Sequence, residues 1–428
     1  MKFVINQKAF VSILEKGALA ALSDSAQEEL SAMAPLFKSV KIEIKGQQVI
    51  VSSASRLLYT EYVYTCKNED GAENKEDGVI LVAAKELLDW AKKQPESKIG
   101  INFEADKTVQ TLSLDLSNDK SDKKSKDAMT INKLGTVRVV SKDISKTGSK
   151  WTFDCYDPSQ VTWVHYPEDH KIFTLPFEQF KTALPYASLS CIATHNLHIY
   201  DAIVFQSSDD KLYMLSSDNI RCSFYQMSKA SNIKMDNMIV IPQKVLATLV
   251  KQMNPSEDIH FYNSDKLKKV VVKQSDYTIG IVMPDQNIIN QYVYKVKSLI
   301  VKKYIDLAKI PKTVLKSRLE TSAIVNNSSV LFYFMNNPVQ LILHAIPENG
   351  KSPHTCNTLV KDLIRNERYV WNPRYVIDFI KVMHDDDIVL HTLEVGRATR
   401  LTSAIEPLFE YHIINIKIEK TSYNAIAF

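Results

Sequence analysis

The stretch VILVAAKELLDWAKKQPESKIGINF (residues 79–103) runs from an apolar strand through an amphipathic helix into a second apolar strand. The same order returns in VIPQKVLATLVKQMNPSEDIHFYN (residues 240–263) and in VWNPRYVIDFIKVMHDDDIVLHT (residues 370–392). In each predicted helix the apolar residues recur at positions i, i+1 and i+4, namely Leu87, Leu88 and Ala91, then Val245, Leu246 and Leu249, and then Val376, Ile377 and Ile380. This spacing places an apolar stripe along one helical face, so the sequence predicts a repeated unit.

A second set of segments precedes these stretches, and each member again runs from a short strand into a helix. Its members are KFVINQKAFVSILEKGAL (2–19), KIFTLPFEQFKTALPYASL (171–189) and KYIDLAKIPKTVLKSRLETSA (303–323). Alternating strand-like runs lie between the two sets. We therefore predict an α+β fold of three repeated domains, at about 1–168, 169–297 and 298–428. A polar insert at about 117–146 lengthens the first domain as a surface loop or an extended hairpin.

The composition is that of a globular protein, with 45% hydrophobic and 24% charged residues. No glycine-rich nucleotide-binding motif is present, and the five cysteines form no CxxC pair, so we expect reduced thiols and no zinc site. The first residues lack the apolar run of a signal peptide, and no apolar stretch reaches the length of a membrane span. These features predict a cytoplasmic protein without a membrane partner.

Positive charge is concentrated on the six predicted helices. Together they carry a net charge of +7, which leaves −3 for the rest of a chain whose total is +4; the segments are 7–17, 83–95, 176–190, 242–254, 311–322 and 372–384. Lysines on the solvated faces of ordinary amphipathic helices are one interpretation. The other is contact with nucleic-acid phosphates, because sparse, long-stemmed point charges hold a polyanion without reading its sequence.

Four motifs, in this order, resemble the β sliding clamp family of bacterial DNA polymerase III, in a divergent form such as a phage or plasmid version. They are MKFVINQKAFVSIL at the start, SSDNIRCSF (216–224), MPDQNIINQYVYKVK (283–297) in the place of the linker between domains two and three, and YHIINIK (411–417) in the place of the last strand. The resemblance implies outer sheets and two inner helices in each domain. It also implies a head-to-tail homodimeric ring that encircles duplex DNA.

The implied function is that of a processivity factor, which tethers the replicative polymerase and other proteins to DNA. No catalysis and no cofactor are implied, and the location is the cytoplasm, or the host cytoplasm for a phage protein. Under this interpretation the DNA-facing residues are Lys8, Lys16, Lys85, Lys92, Lys93, Lys181, Lys244, Lys251, Lys312, Lys316, Arg318, Arg374 and Lys381.

The family binds its polymerase and clamp loader through short linear peptides, which enter an apolar pocket. Carried over by position, the pocket residues here are Tyr200, Ser217, Asn219, Ile220, Arg221, Cys222, Tyr292, Ile413, Ile414, Asn415 and Ile416. The family usually has glycine and histidine at the positions of Asn219 and Ile220, so the resemblance implies an apolar pocket of a different shape. The last residues offer Tyr423, Ile426 and Phe428 either as an internal ligand of this pocket or as a frayed terminus.

The subunit interface implied by the resemblance includes Ala323, Ile324 and Val325, although the same residues would be core in an isolated domain. Alternatives to a working clamp are a clamp-like monomeric scaffold or decoy that binds replication proteins, an enzyme that acts on DNA, and a β-rich structural protein without DNA. Against an enzyme, His195 and His198 have no third metal ligand at a suitable spacing, and the acidic run 385–387 is typical of a turn. We therefore predict no catalytic residues and no metal site.

Overall fold

The structure is a computed structural model of the 428-residue chain. It describes residues 1–22, 34–55, 57–94, 98–113, 130–142, 149–161, 170–192, 199–235, 237–264, 269–300, 303–347, 352–393 and 398–416. No helix among these residues is long and apolar enough to cross a membrane.

The described residues form nine α-helices. They are α1 Gln7–Gly17, α2 Leu19–Leu22, α3 Ala34–Phe37, α4 Ala84–Lys93, α5 Phe177–Ala187, α6 Gln243–Gln252, α7 Gln286–Ile300, α8 Lys312–Val325 and α9 Pro373–Val382. Six of them, α1, α4, α5, α6, α8 and α9, are the helices predicted from the two sets of repeated segments. Each packs its apolar stripe into a core, as Leu87, Leu88 and Ala91 of α4 do.

The strands are short and, apart from one hairpin, four to eight residues long. They are β1 Lys2–Asn6, β2 Ser39–Lys45, β3 Gln48–Ala54, β4 Leu58–Thr65, β5 Glu73–Glu76, β6 Gly78–Ala83, β7 Lys98–Ser113, β8 Thr130–Lys142, β9 Lys150–Tyr156, β10 Lys171–Leu175, β11 Ala202–Ser208, β12 Lys211–Ser217, β13 Arg221–Met227, β14 Ile239–Pro242, β15 Ile259–Ser264, β16 Lys269–Gln274, β17 Tyr277–Val282, β18 Tyr304–Pro311, β19 Val330–Asn336, β20 Val339–Ala345, β21 His354–Leu359, β22 Glu367–Trp371, β23 Asp387–Leu393, β24 Ala398–Thr402 and β25 Phe409–Ile414. The exception is β7–β8, which makes a long antiparallel hairpin.

Contacts divide the chain into two compact units. The first comprises Met1–Thr174 and Gln252–Met283. It contains a five-stranded sheet in the order β5-β1-β7-β8-β9 and an eight-stranded sheet in the order β10-β15-β16-β17-β4-β3-β2-β6. Helix α1 packs on α4, and its residues Phe10, Ile13 and Leu14 are buried against the strands.

The second unit comprises Leu175–Lys251 and Pro284–Phe428. It contains an eight-stranded sheet in the order β14-β11-β12-β13-β25-β24-β23-β18 and a four-stranded sheet in the order β21-β20-β19-β22. Helices α8 and α9 pack on each other, and α8 also packs against β20 and β21.

The element order recurs three times along the chain. A strand and a first helix (α1, α5, α8) lead into a hairpin-rich set of strands, and a second helix (α4, α6, α9) leads into three final strands. In each eight-stranded sheet the last strand of one repeat pairs with a strand of the preceding repeat, as β17 with β4 and β25 with β13. The two units therefore divide the middle repeat between them, and the three-domain boundaries remain a prediction.

Two segments differ from, or refine, the sequence interpretation. The segment that resembles an interdomain linker is the 15-residue helix α7. Its apolar residues Ile289, Tyr292, Val293 and Val296 follow the helical spacing i, i+3, i+4 and i+7, which explains why it folds as a helix. Within the polar insert, residues 130–142 form β8, the return strand of the hairpin. Insert residues 117–129 and 143–146 lie outside the described residues.

Candidate nucleic-acid and partner interfaces

The lysines of α1 and α4 in the first unit lie on the faces opposite the buried stripes. Lys8, Lys85, Lys92 and Lys93 are exposed. Lys92 forms an ion pair with Glu15 at 2.7 Å, so part of its charge is neutralised. Both helices thus present long cationic side chains to solvent, which is the chemistry that contacts phosphates.

Lys16 has a different environment from the other lysines of these helices. It is half-buried, and its Nζ lies 3.4 Å from the hydroxyl of Tyr62 and 4.5 Å from the centre of that ring. Burial lowers the pKa of Lys16, and the negative charges of Asp276 and Glu257 oppose this shift. The Lys16 ammonium therefore packs onto β4, and it is the least exposed of the cations predicted on α1 and α4.

In the second unit the exposed predicted cations are Lys181, Lys244, Lys251, Arg318, Arg374 and Lys381. Lys181 lies 3.9 Å from Glu178, and Lys381 lies 3.8 Å from Asp378. Lys316 is half-buried. Lys312 donates to the carbonyl of Met383 at 2.8 Å and thereby caps the end of α9. The thirteen predicted DNA-facing residues thus separate into ten exposed cations and the three half-buried ones, Lys16, Lys312 and Lys316.

The predicted pocket residues lie on both faces of one sheet in the second unit. On one face Phe409 and Tyr411 of β25 stack on Phe379 of α9, and we call this the helix face. Arg221 pairs in register with Ile413, so both side chains belong to the helix face. Cys222 pairs with His412 and points to the opposite face, which is covered by α7.

Arg221 is held by α9 and by its own turn. Its guanidinium lies 2.8 Å from Asp218 and 3.1 Å from Asp378, and 4.5 Å above the ring of Tyr375. The hydroxyl of Tyr411 is 3.5 Å away. These contacts tie the turn before β13 to helix α9, so the structure gives Arg221 a joining role within the unit.

A second group of pocket residues clusters around α7. Cys222 and Tyr292 are buried in one apolar cluster, and Tyr200 packs against its edge. The rings of Tyr200 and Tyr292 meet edge to face at 5.6 Å. Tyr292 donates to the carbonyl of Ser217 at 3.0 Å, and Tyr200 donates to Asn219 at 3.2 Å. Burial raises the pKa of the Cys222 thiol, which makes it an apolar contact and not a nucleophile.

The remaining pocket residues follow the last strand. The amide of Ile414 donates to the carbonyl of Ile220 at 2.7 Å, and the amide of Ile416 donates to the carbonyl of Val370 at 3.1 Å. The side chain of Asn415 accepts hydrogen bonds from Trp371 Nε1 and from Thr399. Ile220 and Ile416 are exposed. The tail residues Tyr423, Ile426 and Phe428 lie outside the described residues.

The predicted interface residues lie at the end of α8. Ile324 is 86% exposed, an unusual state for an isoleucine, while Ala323 and Val325 are half-buried. The same helical turn contacts β21, because Ser322 Oγ lies 3.8 Å from Cys356 Sγ. The exposure of Ile324 excludes it from the core of this unit, and its place in a subunit interface stays a prediction.

No cluster of three or more His, Cys, Asp or Glu residues that could hold a metal ion is found in the part of the chain that the structure describes. Asp385, from the acidic run, is buried and accepts the amides of Ala404 at 2.8 Å and Ile405 at 3.0 Å, so it organises the turn between β24 and β25. His195 and His198 lie outside the described residues.

Sequence reasoning missed two features. Helix α7 was not predicted because its segment resembles the interdomain linker, although its apolar residues have helical spacing. The position of β9 and β21 at sheet edges has no sequence signal, because pairing partners are set by the tertiary fold.

Comparison with known proteins agrees with this architecture. Residues 1–119 match the family model "DNA polymerase III beta subunit, N-terminal domain". Among curated proteins, the sequence comparison finds no match.

Solved structures match over nearly the whole chain. The DNA polymerase III subunit beta of Pseudomonas aeruginosa has a TM-score of 0.74 at 12% identity, covering 97% of this chain and 100% of that chain. The beta chain of Streptococcus pneumoniae has a TM-score of 0.75 at 15% identity, covering 97% and 99%. The subunit beta of Borrelia burgdorferi, solved in complex with a natural product, has a TM-score of 0.72 at 16% identity, covering 98% and 100%. The predicted α+β fold and the predicted resemblance are confirmed.

Proposed function

We propose that this protein is a DNA sliding clamp: a head-to-tail homodimer that encircles duplex DNA and tethers a polymerase and other DNA-processing proteins to it. The observation that carries the proposal is the pairing of strands between successive repeats. Clamps of this kind are processivity factors without catalysis, and the match to the beta subunit fold supports the same non-enzymatic function here.

Strands of successive repeats pair with each other within the described chain, but the corresponding strands of the first and third repeats do not. Strand β17 pairs with β4, and β25 pairs with β13. By position in their repeats, β9 corresponds to β17 and β25, and β21 corresponds to β4 and β13. Among the described strands, β9 and β21 each end a sheet. Pairing β21 of one copy with β9 of a second copy, twice around a twofold axis, satisfies both edges and closes a ring.

The register of this pairing follows from the two internal junctions. WTFDCYDP (151–158) matches YTIGIVMP (277–284) in its aromatic start, its buried third and fifth positions and its final proline, so Trp151 corresponds to Tyr277. Tyr277 lies opposite Tyr62. The residue of β21 that corresponds to Tyr62 is therefore expected opposite Trp151.

Contacts with the first helix of each repeat identify that residue. In every repeat one side chain of the corresponding strand (β4, β13 or β21) touches the last turns of this helix, as Tyr62 touches Lys16, Tyr225 touches Tyr186 and Cys356 touches Ser322. Cys356 is thus expected opposite Trp151, and the exposed Thr355 opposite the exposed Thr152. This is a specific register for the subunit interface.

The open edge of β21 has the features of a surface that needs a partner. Leu359 on this strand is 77% exposed, and Ile324 on the adjoining helix turn is exposed as well. Exposed apolar side chains beside an unpaired strand edge are features that a second copy would cover.

The charge of the helices supports DNA as the threaded partner. Ten of the predicted DNA-facing cations are exposed, and lysine dominates among them. Flexible lysines hold phosphates without fixing a base sequence, which is what a ring that slides requires.

The test is a disulfide across the proposed interface. In a Cys356→Ser background, the Thr152→Cys/Thr355→Cys double variant should form a covalent dimer of twice the 48.7 kDa chain mass on mild oxidation. Each single variant in the same background is the control and should remain uncrosslinked. When the double variant is first loaded on nicked circular DNA and only then oxidised, the covalent dimer should stay bound at high salt and be released when the circle is cut.

Light scattering of the unmodified protein gives the complementary result. A species of twice the chain mass supports the ring. A folded monomer at every concentration, with no crosslink in the double variant, would overturn it and would favour the monomeric scaffold or decoy.

A further inference from the structure

A row of ionisable side chains crosses four neighbouring strands of the eight-stranded sheet in the second unit. Asp306 of β18 lies opposite His391 of β23. Arg400 of β24 lies opposite both His391 and His412 of β25. Residues that lie directly opposite each other project from the same face of a sheet. Because His412 also lies opposite Cys222, this is the face on which Cys222 lies. We call the four residues Asp306, His391, Arg400 and His412 the ionisable row.

Both ring nitrogens of His391 have a partner. Nδ1 lies 2.7 Å from Asp306 Oδ1, and Nε2 lies 2.7 Å from Thr402 Oγ1. An ionised carboxylate only accepts hydrogen bonds, so Nδ1 carries the proton and Nε2 can accept the hydroxyl of Thr402. Burial lowers the pKa of His391, and Arg400 acts in the same direction, against the opposing effect of Asp306. These contacts hold the ring in its neutral form.

His412 is completely buried and also has a partner on each ring nitrogen. Nε2 donates to Glu410 Oε2 at 3.2 Å, and Nδ1 lies 3.0 Å from the hydroxyl of Tyr304. Burial raises the pKa of Tyr304, so this hydroxyl keeps its proton and donates it to Nδ1. Burial lowers the pKa of His412, while Glu410 opposes the shift and Arg400 adds to it. His412 is therefore neutral, with its proton on Nε2.

Glu410 accepts hydrogen bonds from two neighbours at once. Its Oε1 accepts from Arg400 Nη1 at 3.2 Å, and its Oε2 accepts from His412. The guanidinium of Arg400 also lies 4.9 Å from the centre of the Tyr304 ring. Burial by itself raises the pKa of Glu410, but His412 and Arg400 outweigh it, so the pKa lies below its usual value. One carboxylate thus balances one cation here, and a proton on His412 would add a second cation.

The remaining elements packed around His412 contribute uncharged groups. Cys222 of β13 lies opposite it, and Tyr292 of α7 belongs to the same apolar cluster as Cys222. Burial raises the pKa of both groups, so neither carries a charge at neutral pH. The charge around His412 is therefore set by Glu410 and by the ionisable row.

We propose that the ionisable row is an acid-released clasp, in which protonation of His412 and His391 frees Tyr304 and loosens β18 without unfolding the unit. A protonated Nδ1 cannot accept the hydroxyl of Tyr304, so this hydrogen bond is lost in its present sense. Two imidazolium rings would also lie on either side of Arg400, in register with it.

The clasp would act at the start of the third repeat. Tyr304 is the first residue of β18, which is the first strand after α7. Strand ends of this kind open locally at a lower free energy than the core of a unit. Every group involved lies in the second unit, so the clasp does not depend on ring closure.

The direction of the pH dependence follows from the two histidines. In the open form each ring meets water and titrates near its ordinary pKa of about 6.5. The closed form keeps both rings neutral to lower pH. Its stabilisation is therefore complete above about pH 6.5 and is lost as the pH falls through the lower pKa of the closed form. Over that range each histidine changes the equilibrium by up to about tenfold per pH unit.

Amide hydrogen exchange read by mass spectrometry tests the clasp in the unmodified protein. Protection factors, which correct for the intrinsic effect of pH on exchange, should fall at least about tenfold in β18 between about pH 7.5 and about pH 5.5. Strand β12 of the same sheet contains no histidine and is the internal reference, whose protection should not change. Unchanged protection of β18, or an equal fall in both strands, would overturn the proposal.

Two histidine variants assign the effect. His412→Gln retains a donor for Glu410 but cannot take up a proton, so most of the fall in β18 protection should disappear. The matched control is His344→Gln, which removes another histidine of the second unit whose pKa is lowered by burial. This control should respond to pH as the unmodified protein does. A fall of the same size in both variants would rule out His412 as the titrating group.

Tyr304→Phe tests the clasp even if His412→Gln does not fold, because it keeps the ring beside Arg400 and removes only the hydroxyl. At about pH 7.5 its β18 should already have the low protection that the unmodified protein reaches at about pH 5.5, with little further fall. A purely structural hydroxyl would lower protection by the same factor at both pH values. That outcome, or a response identical to that of the unmodified protein, would contradict the clasp.

Discussion

At the scale of single residues, Arg221 joins a turn of one sheet strand to a helix through two carboxylates and a tyrosine ring. Its side chain and that of Asp218 are nearly inaccessible to solvent, while Asp378 is partly exposed. An ion pair removed from water depends on both partners, because a lone buried charge has lost its hydration without compensation.

Arg221→Ala should lower the free energy of unfolding by about 3 kcal/mol, since Asp218 would remain buried without its cation. Urea unfolding followed by circular dichroism measures the change. The control is Lys381→Ala, which removes the exposed cation 3.8 Å from the same Asp378. The decrease for this control should be below about 1 kcal/mol, as for other surface pairs. Equal decreases would contradict the joining role of Arg221.

Asp385 makes the free energy of unfolding depend on pH. Burial by itself raises the pKa of Asp385, but hydrogen bonds from Ser403 and from the amides of Ile405 and Ala404 outweigh it, so the pKa lies below its usual value. The unfolded carboxyl titrates at about 3.9. The stabilisation is therefore complete above that pH and is lost as the pH falls through the lower pKa of the folded state.

Asp385→Asn should lower the free energy of unfolding at neutral pH by about 2 kcal/mol, because hydrogen bonds to a charged acceptor are weakened. The midpoint of thermal unfolding should also fall less steeply for this variant than for the unmodified protein between about pH 5 and about pH 3. Parallel pH profiles would show that the carboxylate has its ordinary pKa.

At the scale of elements, the sequence predicted the helices whose apolar residues recur with helical spacing. The stripes of α4, α6 and α9 were readable because apolar residues recur on one helical face. The apolar residues of helix α7 have the same helical spacing, but the helix was not predicted because its segment resembles the interdomain linker. Alternation along a strand places the neighbours Arg221 and Cys222 on opposite faces of β13, but the helix that covers each face is set by the tertiary fold and could not be predicted.

The helices also differ in how available their charges are. Lys244 and Lys251 on α6 and Lys316 on α8 make no capping bond of the kind that holds Lys312. The triple variant with glutamine at these three positions should slide off DNA faster. The slope of its binding against salt should be shallower by up to about 0.9 for each phosphate that the variant no longer neutralises.

The charge-matched control replaces three exposed lysines outside the helices, Lys211, Lys229 and Lys234, with glutamine. It should retain the salt slope of the unmodified protein. Primed-template synthesis and filter binding over a salt series measure both variants. Identical slopes for the two triple variants would argue against phosphate binding by α6 and α8.

At the scale of the whole molecule, the proposed interface predicts an energetic hot spot at Ile324. Ile324→Asp places a charge in a surface that two copies would bury, so the dimer dissociation constant should rise at least about tenfold. The monomer should keep its thermal midpoint, because the residue is 86% exposed. Sedimentation velocity over a concentration series measures the dissociation constant.

Ile405→Asp is the control for this variant. Ile405 is 62% exposed and lies between β24 and β25, strands of the eight-stranded sheet, whereas β21 belongs to the four-stranded sheet. Its substitution should leave the dissociation constant unchanged. If both variants weaken the dimer equally, the effect is one of net charge and not of the interface at α8.

The threefold repeat was visible in the sequence at this scale because strand and helix patterns recur in order. The pairing of strands across repeats was not, since β4 and β17 are more than 200 residues apart and their register is set only when the sheets assemble. The expected pairing of Thr152 with Thr355 could be inferred only after the structure had shown how β17 pairs with β4 and β25 with β13.

Those internal junctions have a consequence for dilution. The strands β4 and β17, and likewise β13 and β25, are joined by the polypeptide itself, so each pair meets at a high effective concentration that does not change when the sample is diluted. The proposed pairing of β9 with β21 has no such tether, and its occupancy follows mass action. The three strand pairings are chemically similar but would respond differently to dilution. The two pairings within the chain stay formed at any protein concentration, whereas the pairing between copies dissociates at a concentration set by its dissociation constant.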